Sequence, residues 1–106
     1  ILAAVGVDRL HIVTGHCREQ VAAVIPGLER EHGIRIEEIP NPDYTEGSAV
    51  SMGRSLPVLE AAREPILLMD GDVLYGAELI RRLRDSAHPS ALLVDFGFQA
   101  ADDDPV

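Results

Sequence analysis

Apolar residues recur along the chain in two rhythms, and together they lay out its elements. A short unbroken run, Ile66 to Met69, is bounded by Pro65 on one side and Gly71 on the other. Such a run predicts a strand buried on both faces of a parallel sheet. Leu10 to Thr14, with β-branched Ile12 and Val13, predicts another. Ile34 to Ile39 carries three charges and fits a strand near the sheet edge. Ala91 to Phe96 predicts a last buried strand. Helical spacing fills the gaps. Val21, Val24, Ile25 and Leu28 fall one turn apart within Cys17 to His32. Pro26 cannot donate to the carbonyl of Ala22, so a kink or restart is expected there. Ser48 to Ala62 predicts a weak helix, interrupted by Gly53 and Pro57, with Val58 and Leu59 carrying its packing. Gly76 to Ala87 is a better one, with Leu79, Ile80 and Leu83 on one face and Arg81, Arg82 and Arg84 toward its end, read as a solvated face. Gly6 and Gly33 stand where left-handed helix terminators belong. Strands alternating with helices at this spacing define an α/β chain: a mostly parallel sheet with flanking helices and right-handed crossovers.

That architecture gives the polar residues at strand ends a meaning. Asp70, Gly71 and Asp72 follow Ile66–Met69 at its expected carboxyl end, the edge where open α/β sheets bind ligands. Two carboxylates across one glycine repel unless a cation neutralises them. Magnesium suits the pair, since it takes one or two carboxylates and leaves its other positions to water and phosphate. A polar turn closing a strand is the alternative reading of the same residues. Pro40 to Ser48 leaves a strand at the same sheet edge and is expected to overhang the same crevice. In it, Gly47 would let a flat ring approach the backbone, and Ser48 would cap the following helix. A plain turn and cap is again the alternative. His11 and Cys17 read as structural, with Cys17 near a helix N-terminus where a thiol is more acidic.

Composition narrows the partners. The net charge of −9 opposes nucleic acid and anionic membrane surfaces as partners. All nine basic residues are arginines, which removes a Walker-type phosphate loop and a Schiff-base lysine from this stretch. A single cysteine excludes an internal disulfide and fits the cytoplasm. The acidic run Asp102 to Asp104 reads as solvated surface. The first residues, ILAAVGV, read as the end of a helix, and the last follow a strand directly; both features lead us to expect an internal piece of a longer protein.

Four segments taken together, AAVGVDRLHIVTGH, NPDYTEGSAVSMGRS, PILLMDGDVLY and ALLVDFGFQAADDDPV, carry a resemblance. They are similar to the MobA-like and sugar-phosphate nucleotidyltransferases, and especially to the phosphocholine cytidylyltransferase-like branch. The resemblance implies a nucleotide-diphospho-sugar transferase type of Rossmann-like fold. It implies transfer of a nucleoside monophosphate from a nucleoside triphosphate, with CTP expected, to a phosphorylated small molecule, with release of pyrophosphate. It implies magnesium on Asp72, helped by Asp70. Gly47 and Ser48 would lie against the base, on a loop shaped by Asn41.

The chain departs from that pattern in three places. No glycine-rich loop with an arginine and a lysine follows a first strand, and the family's second metal aspartate is expected further along than these residues. Asp95, Phe96 and Gly97 stand where Asp-Arg-Asp is expected, so Asp95 receives no role. A partial domain, residues 1–106, inactive by itself, is the expectation. In the related fold the absent first strand lies between Leu10–Thr14 and Ile66–Met69, so those two should not pair directly. A glycosyltransferase using its own Asp-x-Asp motif, and a nucleotide-binding domain that has lost its chemistry, are the alternative functions.

Overall fold

A computed structural model describes residues 1–94. The chain opens on a 3-10 turn, Ala3–Val5, ended by Gly6 at φ 87°, in the left-handed region that favours glycine. Strand β1 spans Arg9–Thr14, helix α1 Arg18–His32 and strand β2 Arg35–Pro40. The two strands pair in parallel, with Arg9 beside Arg35 and Thr14 beside Pro40. This is the βαβ unit that the alternation predicts. Gly33 ends α1 in the left-handed conformation, at φ 66°, and its amide donates to the Glu29 carbonyl. The helix continues through Pro26 as a single element. Its apolar stripe has the right spacing but is only partly covered, with Val21 and Ile25 half-buried and Val24 and Leu28 exposed, and no residue of α1 is buried.

Beyond β2 the chain makes a 3-10 turn, Tyr44–Glu46, and enters helix α2, Ser48–Ala61. Helix α3 spans Ala77–Arg84 and packs on the opening turn. Ile80 is buried there, and Arg84 Nη1 donates to the Val5 carbonyl at 2.6 Å. Arg84 therefore ties two distant parts of the chain rather than serving only as a solvated face. Asp85 holds its guanidinium through two further bonds, at 2.7 and 3.0 Å. Val5, Ile36 and Ile80 are the buried hydrophobic residues among those described.

Two expected strands differ from the expectation. Ile66–Met69 forms no regular element and has no strand partner among the described residues, and Ile66 and Leu68 are half or more exposed. Ala91 to Val94 likewise form no strand; Asp95 and Phe96, which complete that expected element, lie outside the described residues, as do Asp102 to Asp104. The reason is the same in both cases. An apolar run marks a segment that needs cover, whereas a strand also needs a neighbour to take its backbone hydrogen bonds. Among the described residues the sheet is β1 and β2 alone, and Ile66–Met69 does not pair with β1. No described helix is long and apolar enough to cross a membrane.

Candidate functional site

The carboxyl ends of β1 and β2 lie side by side, and the chain beyond each is organised by buried polar contacts. The Asn41 amide donates to the Thr14 carbonyl at 2.7 Å, extending the ladder one residue past β2. The Asn41 side chain is almost wholly buried, at 1% exposure, and its polar atoms are all used. Nδ2 donates to Ser51 Oγ at 3.0 Å, and Oδ1 accepts from the Asp43 amide at 3.1 Å. One side chain thus joins the sheet edge, the loop and α2. Replacing it with alanine leaves half-buried partners, Ser51 and the Asp43 amide, without their bonds. Asn41→Ala in the full-length protein is expected to lose about 1–3 kcal/mol, read as a lower urea midpoint.

Tyr44 crosses this edge. A Cβ on Gly15 would lie 2.3 Å from Tyr44 Cβ, so only glycine fits there. The clash is with an atom fixed to the backbone, and shortening Tyr44 to alanine would not relieve it. Gly15→Ala is expected to destabilise the full-length protein by about 1–3 kcal/mol, with Tyr44→Gly restoring stability and Tyr44→Ala failing to do so. The His16 ring meets Tyr44 edge-on, with centroids 6.0 Å apart.

Beside this edge stands a charged cluster that the pattern of residues did not reveal. Thr14 Oγ1 donates to Glu38 Oε1 at 2.5 Å, and Arg18 donates to both Glu38 oxygens at 2.7 and 3.2 Å. The Thr14 hydroxyl first, and then the Arg18 guanidinium, hold the Glu38 carboxyl below the usual carboxylate range. A carboxylate whose pKa falls on folding adds stability above its unfolded value and loses it as pH drops through the folded one. The cluster should therefore be intact at neutral pH and fail in acid, below the ordinary glutamate range. Glu38→Gln should flatten the acid limb of thermal midpoint against pH; an unchanged limb would refute the link.

Gly47 precedes α2 at φ 110° and ψ 167°, a conformation essentially confined to glycine, and its Cβ direction faces open space. Gly47, not Ser48, occupies the N-cap. Ser48 is the first helical residue and makes no side-chain cap bond, which corrects its expected capping role.

Asp70 and Asp72 are exposed at the turn through Gly71 and Asp72. Among the described residues neither joins an ion pair, and no group of three or more histidine, cysteine or acidic residues is gathered as a protein cage. Two carboxylates free of protein cations are the donor chemistry that magnesium takes when water and phosphate complete its shell. No hydrogen bond among the described residues connects this turn to the Asn41–Ser48 loop. Next to the turn in sequence, Val73, Leu74 and Tyr75 line a cleft of about 550 Å³ with Leu79, Arg82, Leu93 and Val94. Leu74 is 98% exposed, so this wall is open to solvent.

Comparison with known proteins adds kinship to this geometry. The chain is 33% identical over 82 residues to the bifunctional protein GlmU of Burkholderia vietnamiensis, covering 76% of this chain and 16% of that protein. The same protein of Burkholderia ambifaria is 33% identical over 81 residues, with the same shares covered. The CMP-5'-(3-aminopropyl)phosphonate synthase of Streptomyces rubellomurinus is 32% identical over 95 residues, covering 86% of this chain and 14% of that protein. The chain thus spans about one sixth of the length of the curated relatives that it matches. No family profile matches it, and no solved structure does. These similarities support a nucleotidyltransferase kinship, and the βαβ unit is compatible with part of a Rossmann-like domain.

Proposed function

We propose that the chain is part of a nucleotidyltransferase domain of the nucleotide-diphospho-sugar transferase type. Its parent protein transfers CMP from CTP to a phosphorylated or phosphonylated small molecule. The observation that carries this reading is the similarity of 86% of the chain to a synthase named for a CMP-phosphonate product. In the reaction an acceptor oxygen attacks the α-phosphorus of CTP. A new P–O–P link forms, the bond from the α-phosphorus to the bridging oxygen breaks, and pyrophosphate leaves.

The residues divide the work by position. Gly47 and Ser48 receive the base on a loop that Asn41 holds against the sheet edge. Asp72, with Asp70 beside it, supplies the carboxylates for magnesium. When bound, that ion offsets the repulsion between two anionic reactants and the charge of the in-line transition state. In-line attack then depends on the loop and the aspartate turn holding the two reactants in register.

The test uses the full-length protein with CTP, magnesium and a panel of phosphate- and phosphonate-bearing acceptors, following pyrophosphate. Acceptor-dependent release is the expected result. CTP binding without release under any acceptor would replace this reading with a nucleotide-binding domain lacking chemistry. Consumption of a nucleotide sugar instead would point to glycosyl transfer.

A further inference from the structure

We propose that Ser51 and Arg54 are positioning residues for the nucleotide, clamping the 41–48 loop to α2 before the base arrives. The proposal rests on the nucleotidyl-transfer reading and assigns roles to two residues that the reading itself leaves out. Ser51 and Arg54 are three positions apart on α2, which puts them on one face of the helix. Ser51 Oγ takes the Asn41 side-chain amide, and Arg54 pairs with the Asp43 carboxylate. The Asp43 amide in turn donates to Asn41 Oδ1 at 3.1 Å, so the two tethers are linked on the loop side as well as on the helix side. Between them the chain runs through the Tyr44–Glu46 turn to Gly47, whose Cβ direction is open.

This closed circuit has a consequence for binding. A loop that must be ordered by its ligand weakens the observed affinity by the ordering cost, and a loop held beforehand does not. The two tethers differ in what else they do. Asn41 and its bond to Ser51 are part of the buried junction. The Arg54–Asp43 pair is close to half exposed on both sides, at 44% and 47%. Exposed pairs of this kind contribute little to folding. Restricting the loop is then the main thing that this pair accomplishes, which makes it the better one to test.

The experiment titrates CTP into the full-length protein by calorimetry, for the wild type and for Asp43→Asn, Arg54→Gln and Ser51→Ala. Either charge substitution should weaken CTP binding about five-fold with an unchanged thermal midpoint, a factor set by the freedom of one released side chain and its loop. In steady state the loss should fall on KM for CTP rather than on kcat, as expected of groups that order a binding loop and do not touch the reacting phosphorus. The charge swap, Asp43→Arg with Arg54→Asp, should restore the affinity. Equal affinity in wild type and variants overturns the positioning role and leaves the nucleotide reading intact. Loss in Arg54→Gln alone, with Asp43→Asn binding normally and no rescue by the swap, also overturns it, making Arg54 a direct triphosphate contact. A wild type that binds no nucleoside triphosphate overturns the underlying reading, and this proposal with it.

Discussion

Asp72→Asn in the full-length protein is expected to lower magnesium-dependent pyrophosphate release by about a hundred- to a thousand-fold. Asparagine keeps the size and shape of the side chain but removes the charge that a hard divalent cation needs. The effect should appear in turnover, because the charge being offset develops as the acceptor oxygen approaches the α-phosphorus. Binding of CTP through the Gly47–Ser48 loop should persist, since no hydrogen bond among the described residues connects that loop to the aspartate turn. Asp70→Asn should have a smaller effect, as the helper of the pair. Raising magnesium should recover part of the Asp70→Asn loss and little of the Asp72→Asn loss. Equal rates in Asp72→Asn and wild type would move the metal site elsewhere.

The 106 residues expressed alone are expected to unfold without a sharp cooperative transition and to bind a hydrophobic dye such as ANS before any denaturant is added. The three hydrophobic side chains buried among the described residues, Val5, Ile36 and Ile80, supply little of the apolar burial that must offset chain entropy. The parallel pair of β1 and β2 adds little by itself, because parallel sheets persist when both faces are covered and more strands join. Meanwhile Leu68, Leu74 and Leu92 stand at 60%, 98% and 85% exposure. Cover for this surface is what a longer parent protein would provide. A cooperative thermal transition with no dye binding would show that the described contacts suffice. The full-length protein should unfold cooperatively, which is why the substitutions at Gly15, Glu38 and Asn41 are to be measured there.

The comparison of pattern with structure turns on range. Local chemistry placed the first half of the chain well. Gly6 and Gly33 end their helical segments in the left-handed conformation, and β1, α1 and β2 fall within a residue of their expected bounds. Those signals act between neighbours three or four positions apart, so the sequence displays them directly. The same spacing rules placed α2 and α3, despite Pro57 inside the former.

The candidate site was legible in part. Gly47, Asp70 and Asp72 stood out as a loop glycine and a pair of carboxylates after a strand-like run, and Asn41 through the family resemblance. Thr14, Arg18 and Glu38 did not, since the bonds uniting them span 20 and 24 positions of chain. Ser51 and Arg54 looked like ordinary residues of a weak helix until the loop folded back on them.

What the sequence by itself determined is the βαβ order, the helix ends and the residue types on offer at the strand tips, because each depends on backbone freedom and short-range periodicity. Only the tertiary structure decided which apolar runs become strands and which polar residues meet. Ile66–Met69 has the composition of a central strand, yet pairing is a property of two segments and is absent from either one alone. Asn41 acquires its partners for the same reason: Thr14 and Ser51 come within hydrogen-bond reach only when β1, β2 and α2 have packed.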